Sequence, residues 1–132
     1  MNTLLRLGAA AVAFGIALSA GAMTRTEYAS QRARIQDKYA TDKDRCFTLA
    51  PQQRDKCVVQ ARVDYDNARF DLRATYRPTA RNVEKARRAK ADAQLALEES
   101  RCGDLRAGAR KVCLDEARNK WAAARDETHD VR

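Results

Sequence analysis

Residues 45–62 read RCFTLAPQQRDKCVVQAR, and residues 101–118 read RCGDLRAGARKVCLDEAR. Both stretches begin with Arg-Cys, carry a second cysteine 11 positions after the first, and end with Ala-Arg. The second stretch lies 56 positions after the first. The match continues beyond it, because the aromatic residue Trp121 occupies the position that corresponds to Tyr65. A unit that occurs twice with paired cysteines is typical of a structural scaffold. It guides the interpretation of the rest of the chain.

The N-terminal segment 1–22 predicts export. It contains one cation, Arg6, no acidic residue and an apolar run over 7–18, and it ends in Ala-Gly-Ala, a pattern that signal peptidases accept. The run is shorter than the roughly 20 apolar residues of a membrane span, with an uncleaved anchor as the alternative. We therefore predict a signal peptide at 1–22 and a periplasmic mature chain at 23–132 without a transmembrane segment.

The four cysteines predict disulfides, because thiols oxidise in the compartment to which the chain is exported. Four cysteines allow three pairings, and the repeat favours Cys46–Cys57 and Cys102–Cys113, which give each copy its own bridge. In the rival pairing each segment between cysteines is one continuous helix. Pro51 disfavours this in the first copy, as do two glycines in the second. The spacing is not that of a zinc site, so no metal or cofactor is predicted.

The remaining sequence predicts helices almost throughout, since Ala, Arg, Lys and Glu dominate and only Pro51 and Pro78 interrupt it. A capping-box pattern at 24–27 predicts the start of helix one, and Pro51 suits the first position of helix two. Helix three is expected from about residue 79 to 102, and helix four repeats helix two. Helix two carries two apolar lines, so it is expected to contact neighbours on two sides. The first line is Val58, Ala61, Tyr65, Ala68 and Leu72, and the second is Val59, Val63 and Phe70.

These elements predict an all-α fold of two antiparallel hairpins, 23–77 and 78–132, packed as a four-helix bundle or placed end to end as an elongated pair. Leu, Ile, Val and Phe together make up less than roughly 20% of the chain after position 22, so disorder is the competing interpretation. Each disulfide is expected to stabilise the folded state by about 3 kcal/mol and so to disfavour disorder. A homodimer through the faces of Tyr65 and Trp121 would enlarge the core.

The positive charge is concentrated between the hairpins. The chain has a net charge of +8, and most of it lies in residues 73–90, which we call the basic segment. Its cations are Arg73, Arg77, Arg81, Lys85, Arg87, Arg88 and Lys90, against Glu84 alone. Guanidinium groups bind phosphate and carboxylate well, so the segment is a candidate anion site for lipid headgroups, lipopolysaccharide or peptidoglycan. The alternative is solvated surface that maintains solubility. No nucleic-acid-binding pattern accompanies the charge.

Catalytic motifs are absent from the sequence. It contains no Gly-x-Ser-x-Gly and no phosphate-cradling loop, and its acids alternate with bases as in ordinary helical ion pairs. The single histidine, His129, lies near the C-terminus. We therefore expect a protein that is not an enzyme and that acts by contact with an envelope protein or with an anionic envelope surface.

Two resemblances add to these expectations. The paired Cys-x10-Cys hairpins joined by Tyr76-Arg77-Pro78-Thr79 resemble a group of small Ala- and Lys-rich periplasmic proteins of proteobacteria, described loosely as cell-envelope or TolA-like. That resemblance implies a helical envelope protein without a defined activity. Trp121 followed by Arg125-Asp126 resembles, more weakly, the final helix of periplasmic lysozyme inhibitors, although their following cysteine is missing. It implies lysozyme inhibition as an alternative function.

Overall fold

The computed structural model describes residues 22–129, with side chains up to residue 127. It contains four helices, α1 (Arg25–Phe47), α2 (Pro51–Tyr76), α3 (Ala80–Cys102) and α4 (Ala107–His129). The predicted signal peptide lies almost entirely outside the described residues. The described part of the chain is therefore all-α.

The helix boundaries follow from local signals in the sequence. The Thr24 hydroxyl accepts the backbone N–H of Glu27 at 3.2 Å, and the Glu27 carboxylate accepts the backbone N–H of Thr24 at 2.7 Å, which completes the predicted capping box. Pro51 occupies the first position of α2, where its missing N–H costs nothing. The hydroxyl of Thr79 caps α3. These three predicted starts are confirmed.

The four helices form a single open layer in chain order. Packing joins α1 to α2, α2 to α3 and α3 to α4. Over residues 22–129, no contact joins α1 to α3 or α4, or α2 to α4. The hairpins thus lie side by side and form an open bundle rather than an end-to-end pair. Both disulfides and the turns at 48–50 and 103–106 lie at one end of the layer, and the turn at 77–79 lies at the other.

The first hairpin is held together by aromatic stacking as well as by its disulfide. Tyr39 stacks on Tyr65 with ring centroids 4.7 Å apart, and Tyr28 stacks on Tyr76 at 4.3 Å. Such ring pairs add roughly 0.5–1.5 kcal/mol beyond their buried area. The tyrosines therefore add contacts between α1 and α2 in a hairpin that has few buried aliphatic side chains.

In the second hairpin an aromatic ring is held by a polar partner, whereas in the first hairpin aromatic rings stack in pairs. The indole Nε1 of Trp121 donates to Asp92 at 2.7 Å, and the guanidinium of Arg125 lies 4.9 Å from the centre of the indole ring. Ala117 of α4 is buried where that helix packs on α3. The buried apolar residues among those that the structure describes are few and small, mostly alanines and half-cystines. They are Cys46, Ala61, Val63, Leu72, Ala86, Ala91, Ala93, Cys102 and Ala117.

The contact between the hairpins covers most of the length of α2. Near the 77–79 turn, Lys90 pairs with Asp71 at 3.0 Å, and at the disulfide end Lys56 pairs with Asp104. Between these pairs Val63 and Phe70 face a groove lined by alanines of α3. The second apolar line of α2 thus has its own partner, as predicted.

The predicted disulfide pairing is confirmed. Cys46 bonds to Cys57 and Cys102 to Cys113, so each hairpin carries one bridge beside its turn. Disulfides of this kind are typical of an oxidising compartment, and they indicate that the protein resides in one. No helix within the described range is long and apolar enough to cross a membrane.

Acid is expected to destabilise the first hairpin through Asp42. This buried carboxylate accepts hydrogen bonds from Lys38 and, at 3.2 Å, from Arg45. The bond from Lys38 is the main cause that lowers the pKa of Asp42 below its usual value, while burial opposes it. A lowered pKa stabilises the fold above the unfolded value of about 4, and this contribution is lost as the pH falls through the folded value.

We therefore expect a melting temperature that is flat above about pH 5 and falls below about pH 4. Asp42→Asn should lower the melting temperature at pH 7 and narrow its difference between pH 7 and pH 3, measured by circular dichroism. Asp44→Asn, which removes the same charge from an exposed position of α1, is the control and should leave the acid difference unchanged. Identical acid profiles for the two variants would contradict this role of Asp42.

Candidate anion-binding surface

The structure divides the basic segment into three parts. Arg73 and Arg77 lie at the end of α2, beside the N-terminus of α1. Arg81, Lys85 and Arg87 are exposed on α3, and none of these three makes an ion pair with another described residue. The last part consists of two paired cations: Arg88 pairs with Glu84 within α3, and Lys90 pairs with Asp71 of α2.

The basic segment therefore does not form one continuous face. Helix α3 begins at Ala80, so Arg77 precedes it and lies in the turn. Helical spacing places Arg81 and Lys85 about 40° apart on one side of α3, with Arg87 on nearly the opposite side. Only some of the seven candidate residues therefore share a surface.

A groove lined by several cations lies at the open end of the first hairpin, opposite its disulfide and beside the 77–79 turn. Its lining consists of three arginines and two tyrosines, and it encloses about 300 Å³. The lining residues are Arg25, Tyr28, Arg73, Tyr76 and Arg77, and we call this site the basic groove. The stacked rings of Tyr28 and Tyr76 form its wall, and the guanidinium of Arg77 lies 5.5 Å from the centre of the Tyr76 ring.

The charges in the basic groove are not compensated. No carboxylate lines it, and Arg25, Arg73 and Arg77 form no ion pair within the described part of the chain. The two acids nearest in sequence are engaged elsewhere: Glu27 accepts from the N–H and hydroxyl of Thr24, which lowers its pKa, and Asp71 pairs with Lys90. The helix dipoles of α1 and α2 point in opposite directions here, so the three guanidinium groups dominate the local potential.

The groove between α2 and α3 differs from the basic groove in its electrostatics. It encloses about 230 Å³, and its two arginines, Arg62 and Arg69, both pair with Asp66, at 2.7 and 3.2 Å. The hydrogen bond to Asp66 is the main cause that raises the pKa of Arg62. Because its cations are neutralised by neighbours, this groove has little capacity left for an external anion.

The two aromatic residues predicted as an interaction face contact partners inside the chain. Tyr65 is half-buried and stacks on Tyr39, and Trp121 is half-buried and donates to Asp92. Each ring therefore joins the two helices of its own hairpin. Arg125, which contributes to the resemblance to lysozyme inhibitors, lies over Trp121. A homodimer through these two rings stays a prediction.

Arg25 is the residue that sequence reasoning missed. It lies far before Arg73 in the chain, outside the basic segment, and only the antiparallel pairing of α1 and α2 brings the two together. The disulfide gives the register that could have found it. Tyr28 precedes Cys46 by nearly the same number of positions as Tyr76 follows Cys57, so the two rings are level.

No cluster of three or more potential metal ligands occurs in the region that the structure describes. No protein family model, curated protein or solved structure matches this chain. The geometry of its own surface is therefore the basis for proposing a function.

Proposed function

We propose that the protein is a non-catalytic helical interaction module of the bacterial cell envelope, exported to the periplasm by the segment at 1–22. The open single layer is the observation that carries the proposal. Helices that pack only on their chain neighbours leave both broad faces of the layer accessible. The disulfides hold the hairpins in shape without a large core, so the faces can present side chains to a partner.

The uncompensated cations favour a second candidate function, the binding of anionic envelope components such as lipid headgroups, lipopolysaccharide or peptidoglycan. Arg73, Arg77, Arg81, Lys85 and Arg87 make no ion pair with residues 22–129. Exposed charges attract anions over about 10 Å at 0.1 M salt, and over only about 3 Å at 1 M. Salt therefore separates this function from docking through the broad faces.

The test is cosedimentation of the oxidised protein with purified envelopes at 50 mM and at 0.5 M salt. Binding that persists at 0.5 M supports a protein partner, and binding that is lost there supports the anionic surface. Arg77→Glu with Arg81→Glu should reduce the salt-sensitive binding at least tenfold, because attraction becomes repulsion. Arg106→Glu with Lys120→Glu changes the net charge equally at exposed positions elsewhere and is the matched control. No binding at either salt concentration would refute both functions.

A further inference from the structure

We propose that the basic groove is a binding site for a single phosphate monoester, held by Arg25, Arg73 and Arg77 against the wall formed by Tyr28 and Tyr76. The inference deepens the anion-binding function proposed above and rests on it. It replaces a diffuse basic segment with one site. It also includes a residue, Arg25, that lies outside that segment.

The first argument is charge. Three arginines line one groove of about 300 Å³ that contains no carboxylate among the described residues. Like charges held close together without compensation oppose folding, since each repels the others. Arg77 alone would suffice to cover the Tyr76 ring. Arg25 and Arg73 therefore add charge that a purely structural role does not require.

The second argument comes from the repeat. At the positions that match Arg25, Tyr28 and Arg73, the second copy has Arg81, Glu84 and His129. The second copy therefore has an acid in place of the wall residue Tyr28 and a histidine in place of Arg73. The set of residues that lines the basic groove is thus not repeated in the sequence of the second copy. It does not follow from the duplicated scaffold.

The third argument is the match with the ligand. A phosphate monoester carries about −1.5 to −2 charges at pH 7 and three acceptor oxygens, which suits three planar guanidinium donors better than a single carboxylate does. The tyrosine wall offers apolar area and two hydroxyl groups to the group that the phosphate esterifies. A volume of about 300 Å³ is at the lower limit of small-molecule sites and holds one head group.

The source of the phosphate is either a lipid or a soluble compound. The experiment measures binding of the oxidised protein at 50 mM salt to two probes: phosphatidylcholine vesicles that contain phosphatidic acid, and inorganic phosphate. Vesicles with phosphatidylglycerol at the same charge density present a phosphodiester and are the chemical control. Tight binding to phosphatidic acid with weak binding to inorganic phosphate identifies a lipid, and similar affinity for both identifies a soluble phosphate.

Arg25→Gln and Arg73→Gln should each weaken binding to phosphatidic acid about tenfold, because each removes a charge-assisted hydrogen bond. Lys120→Gln, an exposed change on α4, should alter it less than twofold. The melting temperature of the free Arg25→Gln protein should stay equal or rise, because repulsion in the groove is relieved. Affinity should also increase from pH 5.5 to 7.5, as the ligand gains its second charge near pH 6.

The outcomes that overturn the proposal differ from those that overturn the anion-binding function. If Arg87→Gln weakens binding as much as Arg73→Gln while Arg25→Gln has no effect, the basic segment binds anions and the groove is not the site. Equal affinity for phosphatidic acid and phosphatidylglycerol would also reject the phosphate monoester. If no anionic probe binds at 50 mM salt, both proposals fail. A lower melting temperature of Arg25→Gln with unchanged binding would assign the groove a structural role only.

Discussion

Replacing all four cysteines by alanine is expected to abolish cooperative folding at 37 °C. Each bridge closes a loop between cysteines 11 positions apart, for which the chain-entropy model gives about 3 kcal/mol. Together they contribute about 6 kcal/mol, whereas small domains are stable by only about 5–15 kcal/mol. The buried side chains here are mainly alanines, so little apolar burial remains to compensate for the loss.

Urea unfolding followed by circular dichroism and by the tyrosine near-ultraviolet signal checks this expectation. Residual helix in the four-alanine variant would not contradict it, since alanine-rich segments retain some helicity in isolation. The tyrosine signal should disappear, because the stacked pairs form only when α1 and α2 pack. A cooperative transition within about 1 kcal/mol of the oxidised protein would contradict the role assigned to the bridges.

The two single-bridge variants provide the matched comparison. Cys46 and Cys102 are equally buried and the loops have the same length, so loop entropy predicts the same loss of about 3 kcal/mol from either pair. The hairpins differ in their other contacts, however, because two tyrosine pairs stabilise the first. We therefore expect the protein without Cys102–Cys113 to keep its tyrosine signal to higher urea concentrations than the protein without Cys46–Cys57.

Much of the fold could be predicted because local signals in the sequence agree with one another. A capping box at 24–27, a proline at position 51 and a cap at Thr79 fix three helix starts, and the repeat fixes the disulfide pairing. These signals do not decide between a bundle and an elongated pair. The reason is that composition and capping describe each helix by itself and say little about which sides of it are covered.

The open layer was nevertheless present in the pattern of α2. The line through Ala61 and Leu72 and the line through Val63 and Phe70 lie about 180° apart at about 100° per residue. A closed four-helix bundle buries one broad stripe on each helix, whereas a helix inside a row must bury two opposite stripes. The angle between the two apolar lines therefore distinguishes the two arrangements, and the structure agrees with the row.

The basic groove could be predicted only in part. Arg73 and Arg77 belong to a run of cations that is visible in the sequence, but Arg25 joins them through tertiary structure. The ion pairs, too, could be predicted only in part from the sequence. Arg88 has Glu84 one turn away, which helical spacing could suggest, whereas Lys90 pairs across the hairpins with Asp71 of a different helix. Charge counted along a segment thus overestimates the charge available to a ligand.

Val63→Asn is expected to destabilise the oxidised protein by about 2–4 kcal/mol, because the change removes buried apolar area and leaves an amide without a partner, and these two costs add. The valine is 7% exposed and faces the alanines of α3. The second copy already has asparagine here, because Asn119 occupies the position that matches Val63. There the side chain is exposed, because among the described helices α4 packs only on α3.

The reciprocal variant Asn119→Val is the matched control and should change stability by less than about 0.5 kcal/mol, because an exposed position gains no burial. On α4, the positions that match the second apolar line of α2 are occupied by Asp115, Asn119 and Asp126. All three side chains are exposed. A polar outer face of this kind offers no apolar surface for a further copy of the unit to cover. Urea unfolding of both variants tests the asymmetry. Equal changes in the free energy of unfolding at positions 63 and 119 would mean that the interface between α2 and α3 contributes little to stability. The two copies would then be equivalent in energy despite their different neighbours.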